Sequence, residues 1–145
     1  MTIPARLTVA TLGAYDMPAM RAFYRGLGWR ETQTSTDAFA SFLLDGAVLA
    51  LFPFEHLAKD GHVPPSDVGT AFRGVTLAIN VESKPLVDAT IDELRTRGAA
   101  ITKEPQEEVW GGRSAYFTDP EGNLWEVVFA PNTFDADGKF NWGAA

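Results

Sequence analysis

The chain is written twice, and this repetition constrains its fold more than any single motif does. In the first half, Leu7 to Leu12 is a run of short, largely β-favouring residues that predicts a strand. Asp16 can then cap a helix, with Pro18 in the first turn where a missing N–H costs nothing. Met17, Met20, Phe23, Tyr24 and Leu27 recur at spacings of three and four, giving one buried face, and Gly28 stops the helix. Strands are expected around Trp29 to Thr34, Phe39 to Leu44 and Val48 to Phe52, with a turn at Asp45-Gly46 joining the last two.

The second half repeats this order. Gly74 to Val81 predicts a strand, and Ser83 with Pro85 opens a helix whose Leu86, Val87, Thr90, Ile91 and Leu94 share a face. Gly98 ends it. Strands follow near Ala99 to Thr102, at Arg113 to Thr118 and at Leu124 to Phe129, the last preceded by the turn Asp119-Pro120-Glu121-Gly122-Asn123. The caps Asp16 and Ser83, and the stops Gly28 and Gly98, are separated by nearly equal lengths of chain. The turn-strand units Asp45-Gly46 to Leu51 and Glu121-Gly122 to Val127 also align on their glycines. Two β-α-β-β-β modules, about 6–54 and 72–131, are therefore predicted. One helix covers only one face of a module's sheet, so two modules are expected to associate.

The 145 residues suit a single domain, 1–145, able to bury roughly 70% of the surface its unfolded chain exposes. Residues 55–71, with Gly61, Pro64-Pro65 and Gly69, read as a linker that is long for a compact domain and so either a lid or mobile. The tail, 132–145, carries a turn at Asp135 to Gly138 and two late aromatics, Phe140 and Trp142. It is expected either to dock on a surface such as a partner subunit or to form a terminal hairpin on its own domain.

The net charge of −7 repels phosphate backbones and anionic headgroups, which argues against nucleic-acid and membrane partners. There is no cysteine, which removes disulfides, thiolate nucleophiles and cysteine metal sites. The N-terminal residues lack a basic leader and a long apolar run, so a cytoplasmic protein is expected.

One residue breaks the apolar pattern. Leu124 to Phe129 is apolar throughout except for Glu126. An ionised carboxylate among such neighbours loses solvation and needs a metal, a proton or a partner. Glu126 is thus the candidate catalytic or ligand-orienting residue. It can instead be a structural carboxylate paired with Arg113, Arg73 or a backbone donor.

The doubled modules, Phe23-Tyr24 followed by Leu27-Gly28-Trp29, and the run Phe117 to Glu126 resemble the vicinal oxygen chelate superfamily. That group includes glyoxalase I, extradiol dioxygenases, and fosfomycin- and bleomycin-resistance proteins, and the resemblance covers roughly residues 6–131. It implies an α+β fold in which two tandem β-α-β-β-β modules form an eight-stranded, cup-shaped sheet with helices outside. It also implies a homodimer with a ligand in each cup. Enzymes of the superfamily hold a divalent metal with inward-facing side chains from four strands. Carried onto this chain, those positions fall at or next to Val9, Thr76, Ala50 and Glu126, of which only the last is a strong ligand. His56 and His62, the only histidines, lie in the linker with Glu55 and Asp60 and read as solvated loop residues. No metal site and no cofactor are expected, a divalent metal being the alternative.

Strand alternation with Glu126 facing the cup gives the expected lining. It comprises Val9, Thr11, Val48, Ala50, Phe52, Thr76, Ala78, Asn80, Leu124, Glu126 and Val128, with Trp110 and Arg113 over the rim. The expected function is binding of a small aromatic or cationic molecule, as bleomycin-resistance proteins do. The alternatives are a lyase or dioxygenase that uses a metal or Glu126 acid–base chemistry, and a ligand-free interaction domain.

Overall fold

The computed structural model describes residues 1–66, 69 and 71–142. It has two compact units, Met1–Gly69 and Thr70–Ala145, each built on one sheet. The first contains β1 (Val9–Ala14), α1 (Met17–Gly26), β2 (Ala40–Leu44), β3 (Ala47–Pro53) and α2 (Phe54–Asp60). Its strand order is β1-β3-β2, with β1 parallel and β2 antiparallel to the central β3. Asp16 caps α1, its Oδ1 accepting from the Ala19 backbone N–H at 3.0 Å. Of the helix face read from the sequence, Met20 and Tyr24 are fully buried. The Tyr24 ring stacks on Trp29 at 5.6 Å and packs against Phe42 at 5.9 Å. Phe42, Leu49 and Leu51 complete this core, and burial of each large apolar side chain contributes about 1.5–3 kcal/mol.

Two expectations are corrected in this unit. Residues 29–34 do not form a strand of their own; they meet β2 at one bridge, Glu31–Phe42, flanked by the Thr32 N–H on the Ser41 carbonyl at 2.8 Å and the Leu43 N–H on the Arg30 carbonyl at 3.2 Å. Past the bridge a hydroxyl competes with the ladder: Ser35 Oγ accepts from the Ser41 N–H at 3.0 Å. The described residues therefore hold seven strands in sheets of three and four rather than a complete set of eight. The segment expected as a linker begins inside a helix, α2. Phe54, Leu57 and Ala58 share a face of it, and Phe54 stacks on Tyr15 with ring centroids 4.3 Å apart. Asp67, Val68 and Thr70 of that segment lie outside the described residues.

The second unit contains β4 (Thr76–Asn80), α3 (Lys84–Thr96), β5 (Ala100–Glu107), β6 (Arg113–Thr118) and β7 (Leu124–Phe129). Its order, β4-β7-β6-β5, again sets the first strand parallel to the last, while β6 runs antiparallel to both β7 and β5. Val87, Ile91 and Leu94 bury one face of α3 on β5, β6 and β7, whereas Leu86, expected on that face, is exposed. Ser83 precedes α3 but makes no side-chain cap. On the helix side of the sheet Phe117 stacks on Trp125, ring centroids 6.1 Å apart. β5 runs five residues beyond the expected end, and Pro105 is tolerated because this is an edge strand with register shifts on either side of Lys103.

The turn before β7 is organised by Asp119, which is almost fully buried. Its Oδ1 accepts from the N–H groups of Glu121 and Asn123, both at 3.0 Å, and its Oδ2 from the Asn123 amide at 2.8 Å. The tail forms the terminal hairpin. Phe134 bridges Phe140, and Asp135 Oδ1 accepts from the N–H groups of Asp137 and Lys139 in the turn between them. Gly143, Ala144 and Ala145 lie outside the described residues. Among those described, no helix is long and apolar enough to cross a membrane.

Candidate functional site

The second unit has a cavity of about 750 Å³ on the sheet face away from α3. Alternation along β4 and β7 supplies one wall: Ala78 and Asn80 from the first strand, Glu126 and Val128 from the second. The chain leaving β7 adds Ala130 to Thr133, the hairpin adds Trp142, and the β5–β6 turn adds Trp110. That turn is closed by the Glu108 N–H on the Gly112 carbonyl at 2.9 Å and the Gly111 N–H on the Glu108 carbonyl at 3.0 Å.

Glu126 lies opposite Ala78 on one side and Tyr116 on the other. The Tyr116 hydroxyl donates to Glu126 Oε2 at 3.0 Å. Burial raises the Tyr116 pKa above the ordinary phenol value, and the hydrogen bond to Glu126 and the charges of Glu126 and Glu108 push it further. Tyr116 is therefore a neutral donor at physiological pH, holding the carboxylate in place. Beside it the Lys103 ammonium lies 5.5 Å from the centre of the Tyr116 ring. Lys103 is itself held by Glu108 at 2.5 Å and by Ser114 Oγ at 2.8 Å, and Ser114 donates to Glu108 at 2.7 Å. The hydrogen bond from Lys103, followed by that from Ser114, holds the Glu108 carboxyl below its usual range.

Of the residues expected at the site, Ala78, Asn80, Trp110, Glu126 and Val128 line this cavity. Thr76 and Leu124 pair with each other one step along the same sheet face, outside the lining. Arg113 turns to the helix side, where its Nε and Nη2 clamp Asp88 at 2.6 and 2.7 Å. The hydrogen bond from Arg113 keeps the Asp88 carboxyl below its ordinary value. Arg73 donates to Asn123 at 2.8 Å. Neither arginine is the partner of Glu126; Tyr116 is. Val9, Thr11, Val48, Ala50 and Phe52 belong to the first unit, on the face of its sheet where Thr11, Ala50 and Ser41 stand side by side.

Tyr116, Trp142 and the stretch Ala130 to Thr133 are the lining or partner residues the sequence reading missed. The signal for Tyr116 was present: two strands joined by a short turn put Thr118 opposite Leu124, and counting two away from the turn on each strand brings Tyr116 to Glu126. For Trp142 no local pattern exists, because its position depends on where the hairpin folds.

A model of the Glyoxalase/Bleomycin resistance protein/Dioxygenase superfamily matches residues 6–127. The chain belongs to this superfamily. A glyoxalase-related enzyme from Fulvimarina pelagi is 27% identical, with 97% of this chain and 100% of that one covered and a TM-score of 0.81. A glyoxalase/bleomycin resistance protein/dioxygenase from Nocardioides is 25% identical, over 100% of this chain and 93% of that one, with a TM-score of 0.79. A lactoylglutathione lyase from Agrobacterium tumefaciens, 23% identical over 88% of this chain and 96% of that one, shares the fold with a TM-score of 0.69. No curated protein sequence matches the chain.

Resemblance to this superfamily brings a divalent metal into question. The four positions it marks, Val9, Ala50, Thr76 and Glu126, offer one carboxylate and one hydroxyl. Among the described residues no three His, Asp or Glu side chains gather in a way that could hold a metal ion. One oxygen of Glu126 already accepts from Tyr116. This donor set does not fit a resident zinc, which takes about three protein ligands, or a divalent ion needing several oxygens.

Proposed function

We propose that the chain binds a small aromatic or cationic molecule in the cavity of its second unit, without a metal of its own. The observation that carries this reading is a single carboxylate, Glu126, set among apolar walls and oriented by the neutral hydroxyl of Tyr116. An apolar pocket with a few placed polar groups suits a small molecule. Among the described residues no lysine or arginine lines the cavity, and Arg113 is engaged by Asp88 and Lys103 by Glu108, so the lining offers an anionic guest no counter-charge. Trp110 and Trp142 offer flat faces that attract rings and cations alike. An open cavity weighs against a ligand-free interaction domain. As with the superfamily members it resembles, the protein is taken to act as a homodimer, which light scattering would test.

A second reading rests on the same pair. Glu126 can accept a proton from a bound substrate while Tyr116 hydrogen-bonds the carboxylate, which is metal-free acid–base chemistry. The likeness to a glyoxalase-related enzyme supports it. A thermal-shift screen separates the readings. One arm uses Zn²⁺, Mn²⁺, Ni²⁺, Fe²⁺ and EDTA; the other uses aromatic and cationic compounds, with turnover of each hit followed by mass spectrometry. A compound at 100 times its dissociation constant stabilises by about 2.7 kcal/mol. Stoichiometric metal in the purified protein, with stability lost in EDTA, overturns the metal-free reading. Conversion of a hit that Glu126→Gln abolishes favours the enzyme.

A further inference from the structure

The β5–β6 turn reads Trp110-Gly111-Gly112, and the two glycines do different work. Gly111 has φ of +94°, a left-handed conformation that lets the turn close. Gly112 is buried, and the Trp110 indole folds back over it. A β-carbon on Gly112 would fall 1.9 Å from Cζ3 and 2.3 Å from Cη2 of Trp110, and 2.4 Å from the Phe129 carbonyl oxygen. No side chain can share that space with the ring. Gly112 is thus the surface on which the indole lies, and Trp110 reaches the cavity wall across it.

We infer that Gly112 is a positioning residue of the binding site: it seats Trp110 as the flat wall against which the ring of a guest stacks. This inference rests on the cavity being the binding site. It adds that the position of one indole, fixed by the absence of a neighbouring side chain, sets the width of the cavity. A larger residue at 112 moves the ring and changes which guests fit, and it also presses on the Phe129 carbonyl of β7.

Collisional quenching by acrylamide tests the seat without any ligand, with Trp110→Phe defining the signal of the other tryptophans. Trp110 is 51% exposed, so eviction from its seat in Gly112→Ala should raise its quenching constant about twofold. An unchanged constant overturns the seat. Binding of 9-aminoacridine, a planar cation, is then compared in the parent, Gly112→Ala, Trp110→Ala and the double variant. Each single change should weaken binding about tenfold, and the double should lose no more than either alone, as expected of coupled residues. Independent, multiplying losses overturn the inference. Because the Phe129 carbonyl also crowds position 112, thermal unfolding accompanies each variant, and where Gly112→Ala does not fold, Trp110→Ala and Trp110→Phe, which leave that carbonyl untouched, decide whether the guest stacks on the indole. If 9-aminoacridine binds Trp110→Ala and Glu126→Gln as tightly as the parent, or binds none of the four, the binding-site reading falls. The quenching result still decides the seat.

Discussion

The two units share a frame and differ in one row of side chains. In the first, neighbouring strands place Thr11, Ala50 and Ser41 side by side; in the second, the equivalent row is Ala78, Glu126 and Tyr116. The frame repeats closely, with Gly46 and Gly122 both at positive φ, +82° and +80°, before the strands that carry Ala50 and Glu126. Ala50 is fully buried, while Glu126 is partly exposed and lines a cavity. One copy of the module thus closes its central row with small side chains, and the other opens it around an acid and its donor. Repetition specifies the backbone, and polar chemistry is a local addition to one copy.

The comparison breaks most easily at Ala50. If its row has become structural, Ala50→Glu buries a charge without a Tyr116 equivalent and should cost about 3–5 kcal/mol in urea unfolding. A loss below about 1 kcal/mol would mean that the first unit still accepts the acid. Asp119→Ala should follow at about 2–3 kcal/mol, because three hydrogen bonds to an almost fully buried carboxylate disappear together.

Glu126→Gln should leave stability within about 0.5 kcal/mol, yet weaken any hit from the thermal-shift screen about tenfold by isothermal titration. Equal affinity would remove Glu126 from the site. The smallest effect is spectroscopic. The folded-state pKa of Tyr116 is raised above the ordinary 10.0, so the associated stability is fully present below that pH and lost as pH rises through the folded value. Ultraviolet titration of phenolate, with Tyr116→Phe as the blank, should show this midpoint falling in Glu126→Gln. An unmoved midpoint would mean that the pair does not form in solution.

Much of the frame was legible in the sequence because it rests on short-range rules. β6 and β7 lie where alternation and the Asp119 turn put them, and the first helix begins at its Asp16 cap. Failures came where local signals compete. Residues 29–34 have strand composition, but the hydroxyl of Ser35 takes the Ser41 N–H that a longer ladder would use. The apolar spacing of Phe54, Leu57 and Ala58 was hidden by the prolines and glycines that follow. At the site, Glu126 stood out because a charge interrupts an apolar run. Tyr116 did not, since an aromatic in a strand is ordinary until its register is known. Arg113 was assigned to the rim without regard to which sheet face its position occupies; alternation puts it with the helix and Asp88.

Asp119 turns every hydrogen bond described for it back onto its own turn. A segment recognisable by such a residue is a hallmark of descent rather than of trade. Its bonds fix the bend in the chain and touch none of the side chains in the row beyond it. Reading a reaction from that phrase would therefore mistake a shared ancestor for a shared occupation.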